Sequence, residues 1–393
     1  MKNILFLFIL LFCISELQGQ SLIEVYKKGS IELIPDNKYA ADTDWNTLFS
    51  DRNQIKNGNP IGKMKSISVS QNGELFVGNY SNYKIYKFDN HGNFIKEFGK
   101  EGRKESEFLY RPTLQGILDN KFVFTSDHHG RILFFDLNGN FKKMVKIDYM
   151  PLQIIPLKDN KIAIWGNVAY KGDTKYIVSI KDINTGKEKI VDSYFNSLIK
   201  LKPLIVKDKN GYLYGFSPSG VKDKTIIERT FDGNLIIGHN VESTLSLFSP
   251  YGDLIKTIDL HKSPIKTTEK DKEKFLKTAK DYLIKKDLYE ENKALLNDPK
   301  IYPETYPIFY AIKTDPEDNI LIFNYSEEEG NSFLVFDKKG TFICESKLNS
   351  DNLKLDINSR FSTFEISANG LYAFVKVIDS KTSEIKIIKT LLK

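Results

Sequence analysis

Cysteine is nearly absent: Cys13 and Cys344 are the two in 393 residues. Once Cys13 is discounted as part of an apolar leader, no pair remains to form a disulfide framework, so stability has to come from a buried core. Charge of one sign is also missing, because 57 basic and 51 acidic residues are interspersed and leave a net charge of only +6. That balance excludes the concentrated basic stripe that nucleic-acid binding needs. There is no G-x-S-x-G elbow, no phosphate-cradling G-x-x-x-x-G-K-[ST] and no H-E-x-x-H helix, which removes the common hydrolase, nucleotide and zinc-protease signatures. After Ile14 no stretch is long and apolar enough for a transmembrane helix, which takes roughly 20 residues.

What is present begins with a leader. Lys2 precedes the apolar run Ile4 to Ile14, and the polar SELQGQ follows. This pattern predicts a signal peptide over 1–19, cut between Gly19 and Gln20, and an exported protein that is periplasmic, surface-bound or secreted. A lipid anchor on Cys13 is the rival reading, and Phe12, standing where a small residue is expected, speaks against it.

The rest of the chain, 20–393, reads as one domain. A turn followed by a short apolar strand recurs as NGELFVGNY (72–80), DNKFVFTSD (119–127), DNKIAIWGN (159–167), DGNLIIGHN (232–240), EDNILIFNY (317–325) and ANGLYAFVK (368–376). A second element follows most copies: a strand ends in Phe-Asp or Phe-Ser, a glycine turns the chain, and an apolar residue opens the next strand, as in KIYKFDNHGNF (84–94). The first apolar residues Leu75, Phe122, Ile162, Leu235, Ile320 and Leu371 are spaced 47, 40, 73, 85 and 51 apart. Periods of about 40 to 50 residues with four strands each predict an all-β fold, a six-bladed β-propeller, with seven blades as the alternative.

The two long spacings require insertions. About 201–224 the segment KNGYLYGFS is too close to the next unit for a whole blade and reads as an extra hairpin. About 263–305 the pattern breaks, and Phe275, Leu276, Ala279, Leu283, Leu288 and Leu295 fall near helical spacing, predicting a helical insertion. Ser21 to Pro35 holds two short alternating runs around Lys28-Gly29 with no blade of their own. The last unit offers only three strands, so an N-terminal strand is expected to complete it and close the ring, removing two exposed sheet edges.

At Phe98 to Pro112 the residues FGKEGRKESEFLYRP carry Phe98, Gly99, Gly102, Glu107, Phe108 and Pro112. This segment resembles the connector of NHL repeats, and Phe88 to Gly92 matches the Phe-Asp-x-x-Gly of the same repeat. The chain as a whole resembles the exported six-bladed bacterial propellers of this type. The resemblance implies the fold and leaves the activity open, since this architecture hosts binding proteins and unrelated enzymes. Animal NHL proteins often bind RNA through a basic face, which the leader and mixed charge here oppose.

In a propeller the loop after each second strand lies at the mouth of the central channel. The ligand-binding candidates are therefore Asn79, Tyr80, Asp127, His128, Asn167, His239, Asn240, Asn324, Tyr325 and Lys376, a ring of hydrogen-bonding groups at a concave surface. The plain alternative is that they cap strand ends. His128 and His239 are also the candidates for a divalent metal, which would make the protein a metal-assisted hydrolase or lyase; no other cofactor is expected. The preferred reading is a non-catalytic module binding a protein, peptide or glycan in the envelope or outside the cell. A scaffold that uses the helical insertion is the third.

Overall fold

A computed structural model of the chain describes residues 21–43, 64–79, 82–110, 112–127, 130–171, 173–195, 204–216, 224–297, 302, 304–325, 332–349, 353–355, 364–367, 370–378 and 383–392. The leader, Cys13, Tyr80 and His128 therefore lie outside the described residues.

The described strands form an all-β propeller of six blades. Blades 1 to 4 are separate four-stranded antiparallel sheets whose innermost strands are Met64–Val69, Thr113–Leu118, Met150–Pro156 and Thr225–Arg229. Blade 5 starts with Phe309–Thr314 and blade 6 with Phe364–Ser367. Side chains from successive sheets interleave, so the core is a series of inter-blade clusters. Phe76, Phe108, Val123 and Phe135 fill one between blades 1 and 2, and Ile155, Val178, Ile227 and Leu235 fill another between blades 3 and 4.

Ring closure follows the strand arithmetic. Ile31–Pro35 becomes the fourth strand of blade 6, pairing Leu33 with Leu392 and Pro35 with Thr390. It also runs parallel to the outer strand of blade 5 through Ile31 and Leu348, so one segment ties both blades. The run before it is not a strand. Leu22–Tyr26 is a single helical turn whose first N–H donates to the Glu317 carboxylate at 2.9 Å. Tyr26 is wholly buried, edge-on to Phe333, and its hydroxyl donates to Asp315 at 2.9 Å. Burying Val25 and Tyr26 together favours the turn over an alternating strand, which would put neighbouring residues on opposite faces.

The turns explain the repeat. Asp89, Asp136 and Asp337 each accept two backbone N–H groups from residues two and four further on, the Asx-turn geometry. Gly92 has φ +84°, and a Cβ there would sit 2.7 Å from that of Ala40, so the turn both bends the chain and receives the N-terminal segment. The connector resembling NHL repeats folds on itself. Phe108 is wholly buried, a Cβ on Gly99 would lie 2.6 Å from its ring, and one on Gly102 would overlap the Glu107 carboxylate. Arg131 of blade 2 clamps it by donating to the Glu107 carbonyl at 2.7 Å.

The helical insertion is present as Glu269–Lys285, with Thr268 and Asp271 in a reciprocal capping box, which satisfies two otherwise unpaired amides. Phe275, Ala279 and Leu283 are buried, whereas Leu276 is exposed. The hairpin of Leu204–Lys207 and Leu213–Phe216 lies against it: Val206 packs on Ala279 and Leu283, and Asn292 exchanges two hydrogen bonds with the backbone of Lys207. The two insertions thus make one small subdomain. Both leave from connections that run from an outer strand to the next inner strand, the face that carries the channel mouth.

Candidate functional site

Each innermost strand of a propeller has one sheet edge turned to the channel, with backbone N–H and C=O groups that no strand pairs. Buried, those groups need other partners. Here side chains of adjacent blades supply them. Gln115 of blade 2 accepts the Ile154 N–H of blade 3 at 3.0 Å and donates to Ser126 at 2.7 Å. Gln153 of blade 3 donates to the Ile227 carbonyl of blade 4 at 3.1 Å, and Thr314 of blade 5 donates to the Arg229 carbonyl at 2.6 Å. Glu365 of blade 6 accepts the Val69 N–H of blade 1 at 2.9 Å. Gln115 is the extra residue of a β-bulge, since the register shifts between Leu114 and Gly116; such a bulge re-aims a side chain.

Ser68, Glu228, Lys313 and Glu365 occupy one register level, opposite Phe76, Ile236, Leu321 and Tyr372. Blades 2 and 3 place Ile117 and Ile155 there. The charged residues of this level therefore come from blades 4 to 6, while Gln115 and Gln153 of blades 2 and 3 also line the cavity. Lys313 and Glu228 pair at 3.0 Å, both largely buried. Burial pushes the Glu365 carboxyl up to about 7, against the pull of the Arg229 and Lys313 charges. The cavity between these strands is small, about 90 Å³, room for a few waters.

At the mouth the sequence candidates are dispersed among local networks. Asn79 is buried against Tyr86. Asp127 is fully buried 3.5 Å from Arg131, the residue that clamps the connector. Asn240 accepts the Lys224 N–H at 2.8 Å and offers its own carbonyl to Ile308 at 2.7 Å. Asn324 holds Ser332 and Glu345 and accepts from Lys262. Tyr325 stacks on Tyr306 at 5.3 Å, and Tyr306 meets Phe275 of the helix edge-on, which seats the subdomain on blade 5. Asn167 is half-buried opposite Met150 and Tyr176, and Lys376 lies within the strand Gly370–Ile378.

His239 alone joins a wider constellation. Its Nε2 is 2.9 Å from Asp192 and its Nδ1 3.1 Å from the Thr225 hydroxyl, which bonds Tyr194 at 2.7 Å. The Tyr194 ring is perpendicular to His239 and stacks on Tyr176 at 5.1 Å, which stacks in turn on Trp165. Asp192, His239 and Thr225 have the order of an acid, a base and a nucleophile, but the Thr225 side chain is wholly buried. No substrate carbonyl could reach it. Trp165, in a strand that runs on to Tyr170, packs into the core between blades 3 and 4. Among the described residues no three His, Cys, Asp or Glu converge as metal ligands, and none of the helices is long and apolar enough to cross a membrane.

Residues 54–219 match the model of the DUF5128 family, a 6-bladed beta-propeller. No curated protein matches the chain. Among solved structures, a DUF4221 family member from Bacteroides vulgatus is 12% identical over 84% of this chain and 92% of its own, with a TM-score of 0.49. A protein of Bacteroides fragilis gives 12%, 84%, 90% and 0.48. Virginiamycin B lyase from Staphylococcus aureus gives 12%, 84%, 85% and 0.39. Similarity this low transfers none of their activities.

None of the residues of the channel wall is among the candidates that the repeat points to. The signal was present as charged residues closing apolar strands, in IIER and AIKT, one strand upstream of the repeat used to align the blades.

Proposed function

We propose that this chain is an exported, non-catalytic binding propeller of the envelope or extracellular space, and that it holds a protein, peptide or glycan on the mouth face. The observation that carries this reading is the seam between blades 3 and 4. There Tyr176, Tyr194, Asp192 and His239, all half-buried, form a row of aromatic and polar side chains. Aromatic edges next to a carboxylate and an imidazole suit stacking and hydrogen bonding to a sugar or a peptide group. The polar groups that could drive chemistry are held by neighbours instead, and the hydroxyl best placed to act as a nucleophile is buried.

The test is binding by the mature chain to glycan and peptide arrays, beside Tyr194→Ala and Thr225→Val. The expected result is retained ligand, lost in Tyr194→Ala and kept in Thr225→Val. Conversion of a captured ligand into product, abolished in Thr225→Val, would replace this reading with a hydrolytic one.

A further inference from the structure

The half of the channel remote from the mouth holds the cavity of about 90 Å³. Four charged side chains line it, Glu228 and Arg229 of blade 4, Lys313 of blade 5 and Glu365 of blade 6, together with Phe231 in the turn after the innermost strand of blade 4. Phe231 is 40% exposed, and Glu228 and Lys313 keep 16% and 18% of their side chains open. Solvent therefore reaches these charges from the face opposite the mouth. Blades 1 to 3 add no charge, lining the cavity with the polar Ser68, Gln115 and Gln153 and with apolar residues.

One of the four lacks a partner. Glu228 accepts the Lys313 ammonium at 3.0 Å with one oxygen and the Arg229 N–H at 3.0 Å with the other. The Arg229 carbonyl accepts the Thr314 hydroxyl at 2.6 Å, so its backbone is fixed between blades 4 and 5. Its guanidinium, which carries five N–H donors, makes no hydrogen bond or ion pair among the described residues. Glu365 accepts the Val69 N–H at 2.9 Å and the Ser68 hydroxyl, and an ionised carboxylate has acceptor capacity beyond two bonds. Arg229 is the strongest charge acting on this carboxyl, ahead of Lys313, yet the two side chains form no ion pair. A guanidinium from blade 4 and a carboxylate from blade 6 thus face a common space without meeting in it.

A simple anion in this space would meet Glu228 and Glu365, and a simple cation would meet Arg229 and Lys313. A ligand that carries both signs avoids either conflict. We propose that this end of the channel binds a small zwitterion, an α-amino acid of the size of glycine or alanine, with its carboxylate on Arg229 and its ammonium on Glu365. Charge-assisted bonds of both kinds are the strong class, and the volume admits a molecule of only a few non-hydrogen atoms. The site is separate from the mouth, and its test is independent of the function proposed above.

The mature chain is titrated by calorimetry with glycine, L-alanine, acetate and methylamine at one ionic strength. The pH is 8, where the Glu365 carboxyl, raised by burial to about 7, is ionised. A saturable heat with glycine or alanine is expected, and none over the same range with acetate or methylamine, which carry one charge each. Arg229→Gln and Glu365→Gln should keep the native circular dichroism, because the guanidinium bonds to nothing and glutamine retains an acceptor for Val69. Each should bind the active amino acid at least about tenfold more weakly. No saturable heat with either amino acid overturns the proposal. So does acetate or methylamine binding as tightly as the amino acids, or full wild-type affinity in either variant.

Discussion

The channel mouth and the closure seam are both rich in polar side chains, and they treat them in opposite ways. At the mouth Asp127, Asn240, Asn324 and His239 are each engaged by a named neighbour, and the innermost strands borrow glutamines and carboxylates from adjacent blades. At the seam the buried hydroxyls of Tyr39 and Tyr372 bond to nothing. The difference separates polar groups that maintain a fold from polar groups that burden it. Position on a functional-looking face does not make that distinction; hydrogen-bond accounting does.

The sharpest way to break the comparison is at Asp127. If it is a structural partner, Asp127→Ala leaves the largely buried Arg131 guanidinium uncompensated and loosens the connector it clamps. A loss of about 3 kcal/mol or more is expected, because a buried charge keeps its desolvation cost when its partner goes. Urea denaturation measures it. An unchanged midpoint would return Asp127 to the pool of ligand groups.

Next comes Glu365, which stands between the two cases: it accepts one backbone N–H, yet its burial lifts the carboxyl from 4.5 to about 7. A carboxyl raised in the folded state binds protons more tightly there than in the unfolded chain. Its contribution to stability is therefore complete below about pH 4.5 and is lost as pH rises to about 7. A decline of about 1–3 kcal/mol across that window is expected, and Glu365→Gln, which keeps an acceptor for Val69, should flatten it. Stability curves at several pH values decide the matter, and identical slopes in both proteins would refute it.

Gln115→Leu tests the channel stitching. The change removes the acceptor of the Ile154 N–H and the donor to Ser126, and a cost of about 1–2 kcal/mol is expected for an amide left buried and unpaired. Amide exchange should speed up at Ile154 while blade 5 is unaffected. Equal exchange would mean that water replaces the glutamine.

How far these features can be read in the sequence follows from how local their causes are. The repeated blades, the turns at Gly92 and its equivalents and the helical insertion were legible because each depends on residues close together in the chain, and the closing strand because the last unit was one strand short. Leu22 to Tyr26 misled, since its helical turn is imposed by Glu317 and Phe333 of the neighbouring blade 5, far along the chain. The two insertions gave no sign that Val206 would meet Ala279 and Leu283. Asn79, His239 and Asn324 close their strands as the repeat suggests, Asn167 and Lys376 lie inside theirs, and whether Asn324 is free or holds Glu345 depends on a strand 21 residues away. The seam was invisible altogether, because Tyr39 and Tyr372 become neighbours only through closure.

The smallest expected effect has the opposite sign, and that sign is its value. Tyr372→Phe in ligand-free protein removes a buried hydroxyl that bonds to nothing while keeping the ring that packs against Tyr39 and lies beneath Lys389. Deleting an unsatisfied polar atom without opening a cavity relieves its desolvation cost, so a gain of about 0.5–1 kcal/mol is expected. Any comparable truncation at the mouth should lose stability instead. A fall in the urea midpoint of Tyr372→Phe would mean that its hydroxyl has a partner in solution, and the contrast between seam and mouth would then collapse.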